Sequence, residues 1–207
     1  DSYKSGIHTF TIIGTYGTGK SSFLLALESD LTQKKNTHYL LTPENLSKCK
    51  GYEFMNIVGD YAELPTLIRK KMFIEGEGGS VLDELKAYYN KLHKNNKFLV
   101  IVIDEFGKVL EHEAKNNPEQ ELYFMQKLAE FVNVPTRQIL LITTLHQNFS
   151  AYARKLSSVQ KEEWNKVKGR FKELVFIEPV EQLLYLASKQ NGLCKDLGEN
   201  ASGLNKL

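Results

Sequence analysis

The sequence predicts a three-layer α/β sandwich around a mostly parallel central sheet, and three observations lead to that class. Stretches of strand character alternate with stretches of helical apolar spacing, which is typical of parallel strands joined by right-handed crossovers. Residues 98–103 are the most hydrophobic run and show no polar alternation, so they indicate a strand covered by helices on both faces. The 207 residues, of which 42% are apolar and 25% charged, suffice for one packed domain and argue against intrinsic disorder.

The first elements are a strand, a helix and two further candidate strands. Residues 8–14 are largely apolar and predict a buried strand. Residues 20–31 follow with apolar side chains at helical spacing and predict a helix. Residues 37–41 and 53–58 have strand character. The chain therefore begins with a β–α–β arrangement. Two candidate strands follow the helix, where this arrangement has one.

The later elements continue the alternation. Residues 61–73 predict a helix in which Pro65 is tolerated only within the first turn. Residues 81–92 are amphipathic and predict a helix that precedes the strand at 98–103. The remaining predictions are helix at 119–132, strand at 138–143, mostly helix at 149–168, strand at 174–177 and helix at 180–189.

A glycine-rich loop joins the first strand to the first helix. Residues 14–21, Gly-Thr-Tyr-Gly-Thr-Gly-Lys-Ser, match the pattern GxxxxGK[ST] at every fixed position. Glycines let backbone N–H groups turn inward around phosphate oxygens, and the helix N-terminus adds partial positive charge. The alternative is a glycine-rich turn that only connects two elements. The predicted nucleotide-binding residues are Gly14, Thr15, Tyr16, Gly17, Thr18, Gly19, Lys20, Ser21 and Ser22.

Two acids follow the most apolar strand. Asp104 and Glu105 complete a Walker B pattern, in which an apolar run ends in Asp-Glu. We expect Asp104 to hold Mg²⁺ together with the Ser21 hydroxyl. Glu105 is the expected base that orients the attacking water. The alternatives are a polar cap on the strand for Asp104 and a solvated acid that opens the next helix for Glu105.

A GTPase-like site is a competing interpretation. Residues 104–107, Asp-Glu-Phe-Gly, also fit DxxG, the turn that contacts Mg²⁺ and the γ-phosphate in GTPases. A GTPase would normally carry NKxD after a later strand to recognise guanine. Residues 145–148 read Leu-His-Gln-Asn instead, and residues 165–168 lack the acid. ATP is therefore favoured over GTP.

Two later motifs extend the pattern. The strand at 138–143 runs into the polar residues Thr144 and His146, and residues 169–171, Gly-Arg-Phe, precede the last apolar strand. With the phosphate loop and the Asp-Glu pair, these motifs resemble the AAA+ ATPases, P-loop NTPases with an additional strand, over roughly residues 8–190. The chain is also similar to large bacterial ATPases linked to phage defence and DNA processing.

The resemblance implies a fold, cofactors and roles for particular residues. It implies the sheet order 5-1-4-3-2, with ATP and Mg²⁺ as cofactors. Thr144 is the first candidate for contact with the γ-phosphate and the water, ahead of His146. Arg170 is the candidate that reaches a neighbouring subunit's site. The family's helical lid, with its second-sensor arginine, has no assignable counterpart here, and adenine recognition stays open, with Tyr3 as one candidate.

Charge and composition constrain the partners only weakly. The formal charge is +2, and the basic residues near Arg170 are interleaved with acids, so DNA binding is not supported by this segment. Cys49 and Cys194 cannot form a disulfide framework or a CxxC metal site, which favours a reducing cytoplasm. No apolar run is long enough for a membrane span.

The expected organisation is an ATPase core over residues 1–190 and a loop, or a lead-out to a lid or next domain, over 191–207. Because the chain begins at Asp1, we expect it to be the excised core of a larger protein. The predicted function is Mg²⁺-dependent ATP binding and hydrolysis that drives or switches a larger assembly, with a homo-oligomer or a complex as its setting. The alternatives are a non-hydrolysing nucleotide-sensing module and a GTPase-like switch.

Overall fold

The computed structural model describes residues 2–33, 49–72, 79–116, 118–154 and 156–176. The chain divides into two compact units, Asp1–Phe176 and Ile177–Leu207, and all the described residues lie in the first. The predicted strand at 37–41 and the predicted helix at 180–189 lie outside the described residues, as does the domain boundary at 190. Nothing in the described part of the chain is a helix long and apolar enough to cross a membrane.

Five strands in the described residues form one parallel sheet of order β2-β3-β4-β1-β5. This is the predicted order 5-1-4-3-2, read from the other edge, and it confirms the predicted fold class. The strands are β1 (Thr9–Ile13), β2 (Gly51–Val58), β3 (Lys97–Asp104), β4 (Ile139–Leu145) and β5 (Lys172–Val175).

The register places the carboxyl ends of the central strands side by side, at the same end of the sheet. Ile13, the last residue of β1, pairs with Leu145, the last residue of β4. Ile103 pairs with Thr143, so the next residues, Asp104 and Thr144, are level with each other. Parallel α/β sheets bind ligands at this edge because the loops that follow the strands meet there.

Seven helices are described: α1 (Lys20–Gln33), α2 (Leu64–Lys71), α3 (Val81–Lys94), α4 (Phe106–Asn116), α5 (Pro118–Val132), α6 (Phe149–Tyr152) and α7 (Ser158–Lys168). The predicted helix at 149–168 is two helices, because Asn148 caps α6 and Ser157 forms a capping box with Gln160 at the start of α7. Helix α4 has no counterpart among the predicted elements. Strand β5 begins at Lys172, two residues before the prediction.

The core lies on both faces of the sheet, as the composition of β3 predicts. Leu99 and Ile101 belong to the larger apolar cluster, which includes side chains of α2 to α7. Val100 and Val102 belong to the cluster that includes Leu24 of α1. Because alternate residues of β3 enter different clusters, the strand is enclosed by helices on both sides.

Candidate nucleotide-binding site

The glycine-rich loop lies between β1 and α1, and its three glycines are required for different reasons. Gly17 and Gly19 both have φ of +81°, a left-handed conformation that glycine adopts without steric cost. Gly14 has an ordinary φ but no room for a side chain, because a Cβ there would lie 2.7 Å from the Thr18 hydroxyl oxygen and 3.0 Å from the Phe176 carbonyl oxygen. The loop's path therefore depends on glycine at the two fixed positions of the pattern, Gly14 and Gly19, and also at Gly17, which the pattern leaves unspecified.

The Lys20 side chain folds back over this loop. Its Nζ donates to the carbonyl oxygens of Gly14 at 2.7 Å and Thr15 at 2.8 Å, and the residue is buried. Burial lowers the pKa of Lys20, although the charge of Asp104 opposes the shift. Lys20 is also the first residue of α1, so the ammonium group and the positive end of the helix lie together. An anionic ligand would be favoured at this place.

Ser21 and Asp104 meet at the mouth of the loop. The Ser21 hydroxyl donates to Asp104 Oδ2 at 2.6 Å. Burial by itself would raise the pKa of Asp104. Hydrogen bonds from Ser21, Thr144 and the Glu105 N–H, with the charge of Lys20, outweigh it and hold that pKa below its usual value. Asp104 is therefore a stable carboxylate.

This pair fits a magnesium ion better than a transition metal. Mg²⁺ prefers one or two protein oxygen ligands and takes the rest from water and phosphate. The Ser21 hydroxyl and the Asp104 carboxylate are such ligands. No group of three or more His, Cys, Asp or Glu that could hold a metal occurs among the described residues, so an ion here would depend on its other ligands.

Thr144 lies beneath Asp104. Its hydroxyl donates to Asp104 Oδ1 at 2.6 Å and accepts from the Glu105 N–H at 2.9 Å, and the residue is fully buried. A hydroxyl has one proton to donate. In this arrangement the Thr144 proton is committed to Asp104, and the hydroxyl orients the two acids.

Glu105 follows β3 in an unusual backbone conformation. Its φ is +55°, which is uncommon for a residue other than glycine. The Glu105 N–H donates both to Asp104 Oδ1 at 3.0 Å and to Thr144, and these bonds hold the strained turn. The Glu105 carboxylate is 35% exposed and pairs with the Lys108 ammonium one helical turn later. The Glu105 carboxylate therefore lies at the same end of the sheet as Lys20 and Asp104, outside the hydrophobic core.

Two further glycines support this turn, and sequence reasoning missed their roles. A side chain at Gly59 would overlap the Glu105 carbonyl oxygen, and the Gly59 N–H donates to the Asp104 carbonyl oxygen at 2.6 Å. A side chain at Gly107 would overlap the Tyr152 hydroxyl. The DxxG pattern includes Gly107 for a different reason, and no sequence signal marks Gly59, because both contacts join residues far apart along the chain.

Arg170 does not lie with the other predicted site residues beside the phosphate loop. It precedes β5, and its carbonyl oxygen accepts from the hydroxyl of Thr9, the first residue of β1. Arg170 is therefore at the amino-terminal edge of the sheet, separated from the phosphate loop by the five residues of β1, roughly 16 Å.

The Arg170 guanidinium has partners within the chain. It donates to Glu130 Oε1 at 2.8 Å and to the Lys166 carbonyl oxygen at 2.7 Å. Hydrogen bonds from Gln126, Lys127 and Arg170 lower the pKa of Glu130 to about 2. Arg170 thus ties α7 to α5 and does not reach the chain's own Asp104.

Tyr3, which the sequence offered as one candidate for stacking on adenine, also lies at the far edge. Its ring stacks on His8 at 3.9 Å between centroids, and its hydroxyl donates to the Arg137 carbonyl oxygen at 3.0 Å. Contacts within the chain thus hold Tyr3 at the beginning of β1, and its role toward adenine stays a prediction.

Solved structures with a similar fold include ORC proteins from Aeropyrum pernix and Drosophila. The ADPNP–ADP complex of the Aeropyrum pernix ORC2 protein has a TM-score of 0.59 and 16% identity, and the match covers 91% of this chain and 47% of that one. The chain has an AAA+-like fold. The Aeropyrum pernix ORC1 protein in complex with DNA (TM-score 0.51, 13% identity, 88% of this chain and 44% of that one) and Drosophila ORC bound to DNA (0.50, 13%, 94% and 45%) agree.

The chain spans just under half the length of these structures. At 13–16% identity the likeness concerns the fold. No family model matches the chain, and no curated protein matches it.

Proposed function

We propose that this chain binds ATP with Mg²⁺ and hydrolyses it, and that the cycle drives or switches a larger assembly. The observation that carries the proposal is the hydrogen-bonded network of Ser21, Asp104, Thr144 and the Glu105 backbone at the open end of the phosphate loop. The loop N–H groups and Lys20 would bind the phosphates, and Ser21 and Asp104 would hold Mg²⁺. Bound Mg²⁺ would neutralise charge on the β- and γ-phosphates.

Within this proposal Glu105 orients the attacking water. Its carboxylate is exposed at the correct edge, and its backbone is held by Asp104 and Thr144. The ion pair with Lys108 must open, or move, before the carboxylate can accept a proton. That ion pair is the specific observation in favour of the second candidate, a module that binds nucleotide without hydrolysing it.

Replacing Glu105 by Gln tests the catalytic role. Glu105→Gln should leave ATP affinity unchanged and lower phosphate release about a hundredfold or more, because the amide cannot act as a base. Glu111→Gln is the matched control: it removes an exposed carboxylate on the neighbouring helix α4 and should leave turnover unchanged.

The outcomes separate the candidates. Undiminished turnover in Glu105→Gln would remove Glu105 from its role. ATP binding by the wild-type chain without phosphate release, in the presence of its partner, would favour the nucleotide-sensing module. Stronger competition by GTP than by ATP would favour the GTPase-like switch, which lacks support because no NKxD pattern follows β4.

The wider setting is proposed from the structural neighbours, the cysteine content and the position of Arg170. Two structural neighbours are described as bound to DNA, which favours a role in DNA handling; the expected link to bacterial antiviral defence rests on the sequence resemblance alone. Cytoplasmic localisation is proposed from the cysteine content. An assembly of several copies is proposed from Arg170, whose place at the far edge suits contact with a neighbouring subunit's nucleotide.

A further inference from the structure

Four lysines meet at one corner of the sheet, where β2 and β3 begin. Lys91 and Lys94 lie in the last turn of α3, and Lys97 is the first residue of β3. Lys50 comes directly before β2, so only the fold brings it to the other three. We call these four residues the basic corner.

Backbone contacts hold the basic corner together. The Lys50 N–H donates to the Asn96 carbonyl oxygen at 2.8 Å, and the next residue, Gly51, pairs with Lys97 at the start of the two strands. Asn96 has a φ of +54°, so the chain turns sharply between the end of α3 and the start of β3. The backbones of Lys50 and Lys97 are therefore adjacent, and the last turn of α3 lies beside them.

The basic corner has little compensating negative charge. Glu53, the third residue of β2, pairs with Lys97 at 3.1 Å. Lys50, Lys91 and Lys94 are exposed, and no carboxylate of the described residues forms an ion pair with their ammonium groups. The formal charge of the whole chain is only +2, so positive charge is concentrated at this corner.

The end of α3 accounts for only part of this cluster. Basic side chains in the last turn of a helix interact favourably with its partial negative charge, which explains Lys91 and Lys94. Lys50 and Lys97 lie at the beginnings of strands, and β-sheets have only small net dipoles. Neighbouring ammonium groups repel one another, and a bound polyanion relieves that repulsion.

Aromatic side chains that could stack on bases lie away from the basic corner. Among the described residues, no large apolar side chain is exposed within 50–54 or 86–98. Tyr16, which is 76% exposed, stacks on His146 beside the phosphate loop, with centroids 3.6 Å apart. Proteins bind single strands largely by stacking bases on aromatic side chains, and the centres of protein interfaces are usually apolar. Positive charge without such side chains fits the phosphate backbone of a duplex.

The basic corner lies at the opposite end of β3 from the nucleotide site. The strand begins at Lys97 and ends at Asp104, so its eight residues separate the two places by roughly 23 Å. A duplex on the basic corner would not contact the phosphate loop. DNA and nucleotide can therefore be bound at the same time, and the corner lysines have no part in holding ATP.

We propose that the basic corner binds the phosphate backbone of duplex DNA without reading its sequence. Its ammonium groups replace counterions on neighbouring phosphates, and the release of those counterions favours binding. Contacts with phosphates position a protein on DNA but carry no sequence information. The inference rests on the role in DNA handling that forms part of the proposed function, and it assigns that role a surface on this chain.

The test measures binding of the whole chain to a short fluorescently labelled duplex of arbitrary sequence, by anisotropy at several salt concentrations. Lys50→Gln combined with Lys94→Gln should weaken binding about tenfold or more at low salt. The slope of log affinity against log salt should fall by about two, because two phosphate contacts are lost. Glu53→Gln, which frees Lys97 from its ion pair, should tighten binding, a gain that partial unfolding cannot produce.

A matched control is available on another helix. Lys70 and Lys71 are exposed in the last turn of α2, so Lys70→Gln combined with Lys71→Gln removes the same charge from a different surface. This double variant should leave the affinity for the duplex unchanged. Binding of ATP should be unchanged in every variant, and thermal unfolding checks that the fold is retained.

Equal weakening by the two double variants would overturn the basic corner, because the loss would then reflect overall charge. No binding of the duplex by the wild-type chain at low salt, or tighter binding of a single strand of the same length, would also overturn it, while leaving the proposed ATP site intact. Normal binding of the duplex without any binding of ATP would contradict the proposed ATPase and leave the basic corner in place.

Discussion

At the scale of single residues, the site is organised by the hydrogen bonds that its polar atoms already make within the chain. Asp104 accepts from Ser21 through one oxygen and from Thr144 and the Glu105 N–H through the other. Its carboxylate is thereby kept charged and oriented before any ligand arrives. Pre-organised groups need little rearrangement when a cation or a phosphate binds. Thr144 is important to this arrangement because it serves both acids.

Thr144→Val should weaken Mg²⁺-dependent nucleotide binding. Valine has a similar shape but no hydroxyl, so one Asp104 oxygen and the Glu105 N–H each lose a partner in a buried place. The expected loss of stability is about 1–3 kcal/mol, measured by thermal or denaturant unfolding. Thr144→Ser keeps the hydroxyl and should retain most of the binding and stability. Wild-type-like magnesium dependence in the valine variant would contradict this role.

At the scale of elements, the site depends on how closely β2 and β3 approach at their carboxyl ends. The two strands are paired along their whole length, from Gly51 opposite Lys97 to Val58 opposite Asp104. The chain leaving β2 then passes directly over the Glu105 carbonyl, at Gly59. The positive φ of Glu105 and the absence of a side chain at 59 are thus parts of one packing arrangement.

Gly59→Ala should destabilise the fold and disturb the acidic pair. The added methyl group would meet the Glu105 backbone, which cannot move without breaking its bonds to Asp104 and Thr144. The expected cost is about 1–3 kcal/mol, with reduced nucleotide binding. Gly51→Ala, at the other end of β2, is the control, because a Cβ there meets nothing within 4 Å. Equal stability of the two variants in denaturant unfolding would contradict the argument.

At the scale of the whole molecule, the candidate functional residues among those described lie at both ends of the strands of one sheet. The phosphate loop and the acids are at the carboxyl ends of the strands, and Arg170 is at the amino ends, tied to Glu130. One side chain cannot span the roughly 16 Å between them. A catalytic role for Arg170 therefore requires a second subunit, and its ion pair with Glu130 would have to rearrange.

Concentration dependence tests this requirement. If Arg170 acts on a neighbour's nucleotide, ATP turnover per molecule should rise with protein concentration, and Arg170→Ala should abolish the rise. Arg137→Ala is a suitable control because its guanidinium lies over Phe131 and away from the phosphate loop. Specific activity that is independent of concentration, with Arg170→Ala active, would refute a role in trans.

The position of the phosphate loop was predictable because it depends on a local pattern, whereas the order of the sheet was implied by the resemblance to AAA+ ATPases. Apolar runs and helical spacing mark the strands and helices, and the loop's glycines follow from backbone geometry within eight residues. The division of the last long helix was not predicted, although its caps at Asn148 and Ser157 are local signals. Helix α4 was not predicted, although its buried residues Phe106, Val109 and Leu110 have helical spacing.

Local patterns indicated the phosphate loop and the adjacent acids Asp104 and Glu105, since each follows from residues that are close along the chain, and the resemblance to AAA+ ATPases implied the sheet order. Only the tertiary structure decided that Thr144 is committed to the acids, that His146 lies against Tyr16, that Gly59 must lack a side chain and that Arg170 stands at the opposite edge. These depend on contacts between segments 40 to 161 residues apart, which no local pattern encodes. Register and packing, which set those contacts, exist only once the sheet has formed.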